Sequence, residues 1–397
     1  MIIKTSKPKK SVNKNSINIK SFILINSIFL IFGFLFLFLI IKNTQNIRDL
    51  AFQKGFRAIN PESVSSAIKR FPKQYFKSKF SEFSSDIPKL IIDINFKNFK
   101  RLEKKVNTAK SLEIIIQEEN DLVPATLRID NKSIKAQIRI KGDNLDHVIG
   151  NKWSFRIETS KDDALYGMRR FSIQNPIVRG FQGQYLIDQT RKIYDLISLN
   201  RLLVDVIVNG ENVGIMEIEE HFSKELLERN ERKESVIIKF DESEYFELDT
   251  IYNYTNSVID VFGKGTVEKN QTLKKYNQIA TGLLRSFVDG ELLASEVFDE
   301  KEMGMFYAIN RVWGADHGNR WGNLRFYYNP YTGKLQPIGY DDNFHERLGY
   351  SNPINDEFFS QVIKDRLVYR EYLKSLKKLT QDILEGKKLF NDFKCTS

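Results

Sequence analysis

Apolar and polar residues alternate from Ala125 to Gly142, through ATLRID and then SIKAQIRIKGD. A period of two puts successive side chains on opposite faces of a strand, so these runs predict a hairpin turning at Asp130-Asn131-Lys132. WSFRIET and RRFSIQN repeat the alternation and predict two more strands, and LEIIIQEE reads as a strand ahead of them. LLVDVIV and ENVGIMEIEE flank Asn209-Gly210, the strongest short hairpin signal in the chain. Between these groups Leu186, Ile193, Leu196 and Ile197 fall at helical spacing, predicting a helix from Tyr185 to Leu199.

Later segments change period. HFSKELLERN predicts a helix with Ser223 as its cap. IIKFDES reads as a strand, while KKYNQIATGLLRSFVDG and Phe306 to Trp313 read as helices. NLRFYYNP and KLQPIGYDD are strands joined by the turn Pro330-Tyr331-Thr332-Gly333. DRLVYREYLKSLKKLTQDILEG closes as an amphipathic helix. Strands first and helices later predict an α+β fold, with an antiparallel sheet lobe followed by a mainly helical lobe that carries a short hairpin.

The N-terminal region has no such period. Phe22 to Ile41 is a run of 20 residues without a charge. At about 1.5 Å per residue it matches a hydrocarbon core of roughly 30 Å, so a transmembrane helix is expected at 22–41. Lys4, Lys7, Lys9, Lys10, Lys14 and Lys20 precede it and fewer positive charges follow. That bias orients residues 1–20 as a cytoplasmic tail and the remainder outside the cytoplasm, on a single-pass anchor. Residues 43–110 read as a spacer with short helices, and 111–397 as the main domain. The ending, FNDFKCTS, leaves further C-terminal sequence open.

Composition narrows the classes. Hydrophobic residues at 41% allow a sizeable core. The net charge of +10 is spread along the chain without a zinc-finger or RNP-like pattern, so no nucleic-acid partner is expected. One cysteine, Cys395, excludes an intrachain disulfide and a cysteine-based metal site.

Candidate chemistry gathers between Gly314 and Phe344, GADHGNRWGNLRFYYNPYTGKLQPIGYDDNF. In an antiparallel hairpin the start of one strand lies beside the end of the other. Asp316 precedes the first strand, Asn323 begins it, and Asp341 and Asp342 end the second. Mg²⁺ prefers such oxygens, with one or two carboxylates completed by substrate phosphates. The logic matches phosphoryl transfer, although HRD, DFG and GxGxxG signatures are all missing. Asp and Asn at strand ends also serve as plain turn formers.

From about Gln137 to Leu379 the chain resembles the CotH kinase family, the spore-coat protein H group of atypical kinases. Four segments carry the likeness: RIKGDN with KWSFRIE; RRFSIQNP with DVIVNGENVGIMEIEEHFSKELLERN; NLRFYYNPYTGKLQPIGYDDNF; and LVYREYLKSLKKL. The resemblance implies a kinase-like two-lobed domain that binds ATP and Mg²⁺ and phosphorylates a protein hydroxyl. It implies Asp316 as the catalytic base, Asp341 and Asn323 as metal-holding residues, and Lys152 as the phosphate-facing lysine, with Lys141 as its alternative. Asn319 rivals Asn323, and Glu220 takes a hinge-like place where the strand leaves for the helical half. Tyr340 stands where the family carries Trp, and Asn343 replaces the motif's second acid, with Asp342 as a substitute metal contact. A rival expectation is a catalytically inactive CotH-like surface module that binds a partner or assists envelope assembly, because ATP is scarce outside the cytoplasm.

Overall fold

The predicted alternation closes into a cylinder. In the computed structural model, which describes residues 87–242 (apart from Phe181), 253–342 and 356–386, seven strands form a closed barrel. They are β1 (Lys89–Asp93), β2 (Val123–Ile129), β3 (Lys132–Ile140), β4 (Phe155–Thr159), β5 (Arg170–Gln174), β6 (Arg201–Val208) and β7 (Glu211–Glu220). Their order is β1-β2-β3-β4-β5-β7-β6, with every pair antiparallel except β1 and β6, where Leu90 lies opposite Val206. The inward set Leu90, Ile92, Leu127, Ile138, Ile157, Ile173, Val206 and Ile218 is fully buried. Helix α1 (Phe96–Leu112) covers part of the barrel with Leu102, Val106 and Ala109, and Asn95 caps it by accepting from the Asn98 amide at 2.9 Å.

The second half builds its own sheet from β8 (Ile237–Phe240), β9 (Ile259–Val261), β10 (Arg325–Asn329) and β11 (Lys334–Ile338), in the order β11-β10-β8-β9. Around it stand α2 (Gly183–Ile193), α3 (Lys224–Arg229), α4 (Lys264–Lys269), α5 (Gln271–Val288), α6 (Ala294–Val297), α7 (Glu300–Trp313), α8 (Glu357–Val362) and α9 (Arg366–Leu384). Phe240, Phe287, Phe298 and Phe358 interlock edge-on at the centre of this core, with Phe326 tilted against Phe298 and Phe358. α7 and α9 cross closely at Gly304, where a Cβ would stand 2.6 Å from the Tyr372 amide nitrogen.

This architecture overturns the expected fold class. No kinase-like pair of lobes, an open sheet and then a helical lobe, is present among the described residues, which all belong to one compact unit. The reason is β1. It lies in the stretch read as spacer, pairs β2 on one side and β6 on the other, and so removes both edges of the sheet. Closure also leaves no edge for LEIIIQEE. Leu112 ends α1 and the rest runs as irregular chain up to the 3₁₀ turn Glu119–Asp121, held by the Ile115 amide donating to the Asp143 carbonyl at 2.8 Å. The second half carries a four-stranded sheet where a mainly helical lobe was expected. No helix among the described residues is long and apolar enough to cross a membrane, and the apolar run Phe22–Ile41 lies outside them.

Candidate functional site

A cleft of about 580 Å³ lies between the end of β3, the ends of β7 and β11, and the turns that precede β10. Its first wall begins where β3 stops. The Lys141 amide donates to the Ser154 carbonyl at 2.8 Å, and Gly142 follows with φ +87°. Only glycine fits there, since a Cβ would fall 1.8 Å from the His147 ring. The chain thus turns sharply and Lys141 is buried, its Nζ donating to Gln174 Oε1 at 2.6 Å and Glu219 Oε1 at 2.5 Å.

Glu219 arises from alternation on β7. Met216 and Ile218 enter the barrel core, so Glu217 and Glu219 occupy the opposite face, where they are also buried. Arg201 on β6 reaches both, Nη1 lying 3.0 Å from Glu217 Oε1 and 2.9 Å from Glu219 Oε2. Arg179, from the 3₁₀ turn Pro176–Arg179, donates from Nε to Glu219 Oε2 at 3.1 Å. Burial opposes ionisation of Glu219, yet Lys141, Arg179 and Arg201 together hold its carboxyl well below the usual range. Burial pushes the Lys141 ammonium down to about 7 against the pull of Glu219, and Arg179 adds to the fall.

The facing wall carries Asp341, Asn323 and His317. Asp341 adopts φ +50° beyond the end of β11 and accepts from Arg179 Nη1 at 2.7 Å. His317 Nε2 lies 3.8 Å from its other oxygen, and Asn323 Nδ2 donates to the His317 carbonyl at 2.9 Å. Burial also depresses His147 and His221, which keeps both imidazoles neutral at physiological pH.

The sequence-predicted residues therefore separate. Lys141, Glu220, Asn323 and Asp341 line the cleft. Glu220 is buried against Arg229 and accepts from the Asn200 amide at 2.9 Å. Lys152 does not line it; this side chain lies over β7, donating to the Ile215 carbonyl at 3.3 Å. Asp342 is fully buried behind the cleft, with Arg191 bidentate at 2.6 and 2.7 Å and Gln184 donating at 2.5 Å. Asp342 is tied by charge and hydrogen bonds to the scaffold, which leaves the substitute metal contact without geometry. Asp316 also stands outside the cleft lining and joins the same scaffold: Asn319 donates to it at 3.5 Å, Asn310 to Asn319 at 2.7 Å, and Arg191 to Asn310 at 2.8 Å. Asn343 lies outside the described residues.

Sequence reasoning missed Glu219, Arg179, Arg156 and His221, all of which line the cleft, Arg156 Nη1 lying 2.6 Å from His221 Nδ1. Glu217 and Glu219 carried a signal, two acids at strand spacing on one face with Arg201 paired opposite Glu219. Arg179 carried none, because a 3₁₀ turn and a segment 162 residues away bring it to Asp341.

No group of three or more His, Cys, Asp or Glu suited to a metal occurs among the described residues. On the facing wall Asp341 and Asn323 offer a carboxylate and an amide oxygen, a pair that could serve a hard cation held mainly through a ligand's own oxygens. No protein-family model matches this chain, and no curated protein matches it.

Proposed function

We propose that the cleft binds a nucleoside triphosphate, ATP as the resemblance implies, together with Mg²⁺, and that the chain transfers a phosphoryl group to a protein hydroxyl, as a CotH-like phosphotransferase. One observation carries this reading: a buried Lys141–Glu219 ion pair on one wall and Asp341 on the other face a single cavity. Phosphoryl transfer asks a protein chiefly for positioning and for fixed positive charge around the transferred group. Arg156 and Arg179 supply that charge along the wall, and Lys141, oriented by Glu219 and Gln174, adds to it when protonated. Asp341 and Asn323 would hold Mg²⁺, which when bound neutralises phosphate charge. His317, which lines the cleft where Asp316 does not, accepts the hydroxyl proton.

The test is transfer of labelled phosphate in the presence of Mg²⁺. Lys141→Met and Asp341→Asn are each expected to lose roughly 100-fold or more in rate, whereas Lys152→Met stays near the parent. Equal rates for the parent and Asp341→Asn end the metal assignment. A second reading, a non-catalytic module that binds an anionic partner, is favoured by the hold of Arg179 on Asp341, which neutralises the intended metal ligand. Under that reading polyphosphate raises the melting temperature equally with and without Mg²⁺, and no label is transferred.

A further inference from the structure

Arg179 stands between the two walls of the cleft, and each of its nitrogens has a different partner. Nε donates to Glu219 Oε2 at 3.1 Å, Nη1 to Asp341 Oδ1 at 2.7 Å and more weakly to the Val178 carbonyl at 3.3 Å, and Nη2 to the Tyr340 hydroxyl at 3.4 Å. The guanidinium also stacks over the Tyr340 ring at 5.4 Å. The two acidic ends differ. Glu219 is sealed, its side chain 2% exposed, and holds Lys141 and Arg201 besides; the Asp341 side chain is 21% exposed and borders the cavity. Turning the fork about its Nε anchor would break the Asp341 contact, with the longer ones to the Val178 carbonyl and the Tyr340 hydroxyl, and keep the Glu219 one. Lys141 has no such freedom, being enclosed by Gln174 and Glu219.

We propose that Arg179 serves Asp341 and a phosphate-bearing anion in turn: the anion draws the guanidinium off Asp341 and so opens that carboxylate to a divalent cation. A guanidinium fork matches phosphate oxygens as well as carboxylate oxygens, so the exchange keeps the charge-assisted hydrogen bonds constant in kind. The cation and the anion then promote each other's binding by the same factor, as linkage requires. This inference rests on the phosphate-and-metal reading of the cleft given above, and makes Arg179 the residue that sets the order of binding.

The experiment titrates Mn²⁺ alone, followed by its paramagnetic resonance signal, into the full chain held in detergent, and then repeats the titration with inorganic tripolyphosphate. Arg179→Gln is expected to bind Mn²⁺ alone about tenfold tighter than the parent, since Asp341 loses its competitor, and to bind tripolyphosphate more weakly. Arg179→Lys keeps a buried cation and cannot span both acids, so it shifts Mn²⁺ affinity in the same direction and serves if Arg179→Gln does not fold. Unchanged or weaker Mn²⁺ binding in folded variants overturns the proposal. Adding Asp341→Asn to Arg179→Gln separates the two levels of inference. If Asp341→Asn abolishes Mn²⁺ binding while Arg179→Gln gives no tightening, only the exchange fails. If Asp341→Asn leaves binding unchanged, the metal reading of the cleft fails as well.

Discussion

Asp341 sits at φ +50°, a left-handed conformation that Asn and Asp visit more readily than most residues. Asp341→Asn therefore removes the charge and keeps the backbone, and its melting temperature is expected to stay within a few degrees of the parent while transfer is lost. The next residue behaves differently. Asp342 shares both oxygens with Arg191, and neither group is exposed. Removing one partner strands a buried charge, so Asp342→Ala is expected to cost about 3–5 kcal/mol in urea unfolding. A loss near zero would mean that water replaces the missing partner. Space for this pair comes from two glycines. A Cβ at Gly339 would fall 1.9 Å from the Arg191 guanidinium, and one at Gly318 would fall 2.1 Å from Asp342 Oδ1. These glycines are needed for their missing side chains, with no demand on φ.

At the scale of elements, β7 serves two cores at once. Its Met216 and Ile218 close the barrel, and its Glu217 and Glu219 face a buried layer of Arg201, Arg179 and Lys141. Asp188 on α2 joins that layer to the hairpin end, bonding Arg201 at 2.5 Å and Arg191 at 3.0 Å. A chain of alternating charges thus runs from the strand to Asp342 and positions the cleft walls through α2. The crossing of α7 and α9 depends on Gly304, because the Tyr372 backbone occupies the place of its Cβ. Gly304→Ala is expected to lower stability by about 1–3 kcal/mol, read as a shifted urea midpoint, even though alanine is the better helix former. A gain in stability would show that α9 moves aside freely.

For the whole molecule, the pH dependence of stability has a definable window. Burial raises Glu302 on α7 to about 7 from its ordinary 4.5, with Arg232 only partly opposing, and its Oε2 has no hydrogen-bond partner. Between those values the folded chain binds more protons than the unfolded one, so stability falls as pH rises from about 4.5 to about 7. The contribution is on the order of 3 kcal/mol. Burial moves Asp356 in the same direction, to about 6, against the Phe359 and Phe358 amides that it caps. Glu219, held low by its cations, gives the opposite slope at lower pH. The parent minus Glu302→Gln difference isolates the first effect. Urea midpoints of parent and Glu302→Gln should lie closest at pH 4.5 and separate through pH 6 to 7.5, with the variant the more stable, and parallel curves would remove Glu302 as the cause.

Local order was legible because it follows from local physics. The alternation around Asp130 and around Asn209-Gly210, and the helical spacing in 271–288 and 366–384, each report which face of one segment meets a core. Asn323 and Asp341 both border the cleft because one hairpin brings its two ends together. By itself the sequence showed β2 to β8 and the hairpin of β10 and β11, but β1 and β9 went unread and LEIIIQEE was misread as a strand. Only tertiary structure decided that β1 closes a barrel, that Lys141 and not Lys152 enters the cleft, and that Asp342 belongs to the scaffold. Those outcomes depend on which distant groups share a buried space, Arg179 with Asp341 and Arg191 with Asp342, where the cost of an unpaired charge selects the partner.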